Sequence, residues 1–409
     1  MERSVFPEVA IKVQQDGYHH RRVPVLVSIL FTLHVMPMSI VELILISALL
    51  TQIVFQFFIV VGMRRGATAR SIPEETELPP LSIMVTAKNE SENLLQCVPS
   101  ILRSEYPDFE LILVNDLSTD NTVQVMKAFE EQDPRVRMVD ISSDRYNQDM
   151  ASGKKFALTL GIKAAKNDFI VLTDADCVVK EDWLDEMGYA FAAKGSVLIG
   201  TGNYKSSGMI GALHSAVNFR FSQQYLVANE FALPFGAVGR SMGIDREVFF
   251  QVQGFKDHMS IPSGSDDLLL QSIIGKGMIV NVPRAVTESQ SPRSISAWIR
   301  QRSRHVKASI RYKWSHKILL AIYELSNVIA LMSILYAIIF KDLIGLLLIS
   351  LFLFRLLLSG VGIYLGKKLF DHPQPTVQLM LLEYPGAILN SLFSGIGLLT
   401  KPTEWIREK

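Results

Sequence analysis

The sequence predicts an α/β domain with a mainly parallel sheet, held between membrane-spanning helices. Three observations carry this. Strand-like and helix-like segments alternate from residue 81 to 173. Three of the strand-like segments end in polar residues. Apolar stretches long enough to cross a bilayer lie at 39–63 and beyond 317. The β-α-β-α order predicts parallel strands covered on both faces by helices.

The N-terminal 38 residues contain a short apolar stretch, 23–35, too short for a span and readable as an interfacial or signal-like segment. Met36 and Met38 can also be read as start residues, which would make the first 35 residues an extension. Residues 39–63 form the first span, and Arg64, Arg65 and Arg70 after it place that end in the cytoplasm. A polar, Pro-rich linker covers 64–80. Strands then follow at 81–86, 109–114, 135–139 and 169–173, with helices at 90–102, 122–131 and 154–165 between them. Three further spans are predicted at 317–340, 343–365 and 377–399, followed by a tail, 400–409. The basic stretch 293–317 and the pair Lys367 and Lys368 fall on the cytoplasmic side if the middle domain does. Lys401, Arg407 and Lys409 then lie outside, against the charge rule, unless the last span is re-entrant.

Hydrophobic residues make up 49% of the 409 and mean hydropathy is +0.24, with the excess in the spans. A net charge of +1 gives no global field for nucleic acid. Cys97 and Cys177 form neither a disulfide scaffold nor a metal cluster. Four spans beside a large α/β domain leave little room for a transport path. Arg355 lies mid-span, where an unpaired charge is costly. At about 1.5 Å per residue, its long side chain reaches the depth of Glu324 or Glu383, and a pair with one of them is expected.

The strand ends carry the chemistry. Thr86-Ala87-Lys88-Asn89-Glu90 follows the first strand, Asn115-Asp116 the second, and Asp174-Ala-Asp176 the fourth. Ligands bind outside the carboxyl ends of such strands. The paired carboxylates Asp174 and Asp176 suit a hard divalent cation, which suits a diphosphate. An Asp-x-Asp alone also fits a simple turn. Asp120 or Asn121 caps the next helix, whereas Asp116 has no capping duty and is available to a base or ribose donor. Gly153-Lys154 opens a helix, a place that favours an anion.

Together these runs resemble the family-two glycosyltransferases, over residues 81 to about 315. The resemblance implies a Rossmann-like GT-A domain and inverting transfer from a nucleotide-sugar, most simply a UDP-sugar. The acceptor it implies is a lipid, lipid-linked or glycan hydroxyl. It assigns Asp174 and Asp176 to Mg2+ or Mn2+. Thr86, Ala87, Glu90, Asp116, Lys154 and Asp174 go to the donor.

Later motifs extend the likeness. Gly239, Ser241 and Met242 open a run to Phe249 similar to the acceptor-side loop, with Ser241 where Asn is usual. In Ser265-Asp266-Asp267 the family has Glu-Asp and a glycine closing the helix eleven residues on. Counting back from Gly277 makes Asp266 the base and Asp267 its neighbour or substitute. Both also fit a helix cap and first turn. Gln301-Arg302-Ser303-Arg304-His305 resembles the Gln-x-x-Arg-Trp motif of membrane-bound synthases and ceramide glucosyltransferases. Gln301 and Arg304 are assigned to the diphosphate and acceptor pocket. His305 replaces the Trp that holds the acceptor end in processive synthases. Arg300, Arg304, Lys307 and Arg311 form a stripe suited to anionic lipid. Phe219, Phe221, Tyr225, Phe231 and Phe235 read as core packing or an acceptor path. The implied product is a multi-pass membrane enzyme with its catalytic domain in the cytoplasm, at the inner membrane of a bacterium. A processive synthase and a non-catalytic nucleotide-sugar scaffold are the rival readings.

Overall fold

A computed structural model describes residues 38–68, 76–141, 153–261 and 263–399. The stretch 23–35, Met36, Arg70 and the basic tail lie outside them. Two compact units are distinguished, 1–44 and 45–409. Of the first, residues 38–44 are described; they begin helix α1 (Ile40–Thr68), where the Ser39 N–H donates to Glu42 at 2.7 Å. The packing below lies within the second.

The strands are β1 (Leu81–Ala87), β2 (Phe109–Asn115), β3 (Val136–Asp140), β4 (Phe169–Asp174), β5 (Val178–Val179), β6 (Val197–Lys205), β7 (Met242–Asp245) and β8 (Ile279–Gln290). They form one sheet in the order β3-β2-β1-β4-β7-β6-β8-β5. From β3 to β4 every pairing is parallel, as expected. Beyond β4 the sheet is mixed: β7 is antiparallel to both neighbours, β6 and β8 are parallel, and β5 is antiparallel. This half was not resolved into strands from the sequence. β5 has two residues and β7 four, too few for an alternating pattern to show.

β1 and β2 are buried at every position, which is why they read as unbroken apolar runs. Helices α2 (Ser91–Leu102), α3 (Thr122–Gln132), α4 (Lys154–Ala164) and α5 (Trp183–Ala192) cover the two faces. α4 lies close on the sheet. A Cβ on Gly161 would stand 2.4 Å from Met84 Sδ and 2.8 Å from Val114 Cγ2.

The second half adds α6 (Gly208–Glu230), α7 (Arg246–Gln251), α8 (Asp267–Ile273) and α9 (Ile295–Ser309). α8 stops at Ile273, four residues before Gly277. The turn is made at Gly275, whose φ of +86° suits glycine, so the glycine spacing marks the motif and not the helix end. Phe219, Tyr225 and Phe235 are core residues.

Among the described residues, four helices are long and apolar enough to cross a membrane: Ile40–Gly66 of α1, α10 (Trp314–Phe340), α11 (Leu343–Leu369) and α12 (Thr376–Leu399). Arg355 of α11 is fully buried and pairs with Glu383 of α12, donating from Nη1 to Oε2 at 3.0 Å. Asn327 of α10 accepts from the same guanidinium at 3.1 Å, and Ser359 donates to Glu383 at 2.9 Å. Glu324 instead takes Arg220 of α6 at 3.0 Å. The domain also grips the membrane helices through α9: Arg302 Nε donates to Ser394 at 2.9 Å, and Trp298 meets Phe393 edge-on at 5.0 Å.

Candidate active site

The strand register brings the polar ends together. Thr86 of β1 lies beside Asp174 of β4, Ala87 lies beside Asn115, and the Asp116 N–H donates to the Ala87 carbonyl at 2.8 Å. Glu90 is buried at the start of α2, its N–H donating to Thr122 Oγ1 at 2.8 Å. Asn89 and Leu117 adopt positive φ, and Asn89 Oδ1 accepts from the Thr119 N–H at 2.7 Å, which locks the two loops to each other.

A cavity of about 1750 Å³ opens at this edge. Thr86, Glu90, Lys154, Asp174, Asp176, Gly239, Asp266, Asp267, Gln301, Arg304 and His305 line it. Ala87, Asp116, Ser241 and Met242 do not. Ser241 is fully buried, accepting from Trp183 Nε1 at 3.0 Å and donating to the Ala285 carbonyl at 2.7 Å, and Met242 is core. Asp116 is 2% exposed, and its Oδ2 has no hydrogen-bond partner among the described residues. Burial raises its pKa, with Lys88 opposing. A buried orphan acceptor of this kind calls for a donor from a ligand.

Lys154, at the first position of α4 after Gly153, is ion-paired with Asp174. Gly153 has a φ of +112°, which lets the chain enter the helix there. Burial works against the Lys154 charge, but Asp174, then Asp266 and Asp176, outweigh it and raise the pKa. One ammonium therefore answers to three carboxylates. Among the described residues, no group of three or more His, Cys, Asp or Glu could hold a metal alone. Asp174 and Asp176 still fit Mg2+ or Mn2+, which take one or two carboxylates and draw remaining ligands from substrate phosphates.

The two adjacent aspartates have different surroundings. Asp266 caps α8, its Oδ1 accepting from the Asp267 N–H at 2.9 Å and its Oδ2 from the Gly239 N–H at 3.0 Å. Asp267 is 4% exposed, accepts from the Ala237 N–H at 2.9 Å and is bonded to Tyr312 Oη. Burial, then the charge of Asp266, pushes its pKa up to about 8. Asp267 is thus the anchored partner and Asp266 the more accessible carboxylate.

α9 supplies the opposite wall. Gln301 accepts from His214 Nε2 at 3.0 Å and donates to Tyr204 Oη at 3.1 Å. Tyr204 also accepts from Arg240 Nη1 at 2.7 Å. Burial, then Arg240, holds the His214 pKa down near 3, so the ring is neutral and Nε2–H is the donor. Arg240 gives its other arm to the Gly202 carbonyl at 2.7 Å. Burial opposes its charge, yet Tyr204, Cys177, Asp174 and Asp176 together keep its pKa raised. Arg240, Tyr204 and His214 had no assigned role in the sequence. Arg240 stands inside the Gly239–Phe249 run, but nothing there shows that the side chain meets Tyr204 and the Gly202 carbonyl.

The comparisons with known proteins bear on the domain that carries this site. Residues 82–252 match the family described as Glycosyl transferase family 2, and residues 169–366 match Glycosyl transferase family group 2. Together the two matches run from 82 to 366, and over that stretch the chain is a family-2 glycosyltransferase domain with the GT-A fold. It is 34% identical over 124 residues to "Glycosyltransferase GlyG" of Streptococcus pneumoniae, covering 30% of this chain and 38% of that one. It is 33% identical over 109 residues to the "Poly-beta-1,6-N-acetyl-D-glucosamine synthase" of Staphylococcus epidermidis, covering 27% and 24%. The matched stretches thus span well under half of these relatives. Among solved structures, the mannosyltransferase PcManGT from Pyrobaculum calidifontis, in complex with GDP-Man and Mn2+, shares the fold at a TM-score of 0.53 and 16% identity, covering 87% of this chain and 99% of that one.

Proposed function

We propose that this enzyme transfers a sugar with inversion from a nucleotide-sugar to a hydroxyl on a membrane-borne acceptor. One observation carries the reading: the cavity that starts at Asp174, Asp176 and Asp266 continues between the membrane helices, past Tyr323, Ser359, Leu379 and Glu383. A donor enters from water and an amphipathic acceptor from the bilayer, and the two meet beside Asp266. That favours a lipid or lipid-linked acceptor, and by the resemblance a UDP-sugar.

Asp266 accepts the proton of the acceptor hydroxyl, whose oxygen attacks the anomeric carbon as the bond to the nucleoside diphosphate breaks. The two N–H donors hold its carboxylate in place. Lys154 and Arg304 face the charge that develops on the departing diphosphate. Glu90, which lines the cavity, accepts from the nucleoside, and Asp116 stands buried behind it. Mg2+ or Mn2+ on Asp174 and Asp176 would supply charge neutralisation at the leaving group. Arg64 and Arg65 near the end of α1, with Lys367 and Lys368 ending α11, favour a catalytic domain on the cytoplasmic side by the positive-inside tendency, and the resemblance favours a bacterial inner membrane.

A donor screen on the purified membrane protein, reading nucleotide release with and without Mn2+, tests this. Release that depends on metal and on Asp266 is expected; silence with every donor and acceptor lipid would leave only a scaffold role. A second reading, repeated addition to a growing glycan, draws on the likeness to the poly-N-acetylglucosamine synthase. Product length on a sizing column separates the two.

A further inference from the structure

The first two residues of α4 serve different parts of the centre. Lys154 is turned to Asp174. Lys155 is 5% exposed, and its ammonium donates to the carbonyls of His258 at 2.7 Å, Ile261 at 3.0 Å and Ser263 at 2.8 Å. An ammonium has three N–H donors, and here each has an acceptor. Lysine is rarely this buried unless it is partnered, and these partners are backbone atoms of one stretch of chain. Burial holds its pKa down at about 8, while the charge of Asp266 pulls the other way. The two groups therefore feel each other's charge.

Those carbonyls stand immediately ahead of Asp266. Ser263 is followed by Gly264, with a φ of +82° and Leu268 Cγ 2.7 Å from where a Cβ would stand. That joint admits only glycine without strain, and only Gly264 and Ser265 separate Ser263 from Asp266, whose carboxylate is held by the Gly239 and Asp267 N–H groups. A shift of Ser263 therefore reaches Asp266 across two residues.

We propose that Lys155 is a positioning residue for transfer: it ties the chain at residues 258, 261 and 263 to the donor-binding turn of α4, and so sets where the Asp266 carboxylate stands. The inference rests on Asp266 being the base. Donor and base are then referred to one rigid helical turn, Lys154 for the diphosphate and Lys155 for the acceptor side.

Lys155→Met keeps the buried stem and removes the three donors. In the full-length protein, the donor KM is expected to stay within about twofold while kcat falls about 10²-fold, the cost of misplacing a reacting group by about an ångström. Hydrogen–deuterium exchange should rise in peptides covering 258–268 and stay unchanged in 81–87. Wild-type kcat, an unchanged exchange pattern, or a raised donor KM at constant kcat would overturn the proposal. If that variant does not fold, Lys155→Ala prepared in n-propylammonium chloride replaces it. Recovery of kcat with the amine and not with n-propanol is expected, and equal behaviour of the two would count against the proposal. A wild-type enzyme silent with every donor refutes the functional reading instead, and the exchange experiment still judges Lys155.

Discussion

Asp266 and Asp267 are neighbours in sequence with opposite fates, and mutation should separate them. Asp266→Asn keeps the shape and the cap through Oδ1, gives up the bond from the Gly239 N–H, and cannot take a proton. Transfer should fall by about 10²–10⁴-fold, with nucleotide binding retained in calorimetry; full activity would remove Asp266 from the mechanism. Asp267 bears on stability and pH. Its folded pKa, about 8, exceeds that of an unfolded aspartate. The native state therefore binds more protons across the interval between them, and stability from this group falls as pH rises from about 4 through 8. Asp267→Asn, neutral throughout, should show a flatter melting temperature between pH 5 and 8.5 than the wild type. At the acidic pair, Asp174→Asn and Asp176→Asn should each abolish any Mn2+ dependence of nucleotide affinity; dependence that survives both changes would place the metal elsewhere.

At the level of helices and strands, α4 is the most constrained element. It packs through Gly161 against β1 and β2, and its first turn supplies both lysines. Gly161→Val would drive branched carbons into Met84 and Val114, an overpacking typically worth about 1–3 kcal/mol; the expected result is a lower melting temperature with donor affinity following the folded fraction. Such contacts explain what was legible beforehand. β1, β2 and β4 are buried on both faces, so their apolar runs and polar ends stood out, and their register aligned Thr86 with Asp174 as the motif reading required. The antiparallel half was hidden because β5 and β7 are short and because β6 and β8 pair across a long separation in sequence. Arg240, Tyr204 and His214 were invisible for a related reason. Their side chains and Gln301 meet across β6, α6, α9 and the turn before β7, and no local spacing encodes that. Ser241 and Met242 stood in a recognisable run, yet the backbone turns both into the core.

For the molecule as a whole, the membrane helices and the catalytic domain share one cavity and interlocking contacts. The spans themselves were legible from length and hydropathy, and the partner of Arg355 was narrowed to two glutamates by depth alone. The structure selects Glu383, because Glu324 is taken by Arg220. Breaking one partner of a buried pair typically costs about 3–5 kcal/mol. Arg355→Leu and Glu383→Leu should each destabilise the protein in detergent, and the Arg355→Glu, Glu383→Arg double exchange should recover part of the loss; no recovery would mean that Asn327 and Ser359 fix the polarity of the pair.

That pair also bears on how the protein is made. A lone arginine at the middle of an apolar helix costs about 2.5–3.5 kcal/mol to insert through the translocon, and its counter-charge lies on the following helix. While the ribosome is still synthesising that helix, α11 has no carboxylate from α12 to neutralise it. Stable lodging of α11 therefore waits on α12, and the two are expected to leave the insertion machinery as a hairpin. A nascent chain arrested between them should remain extractable by alkali, and one extended beyond Glu383 should not.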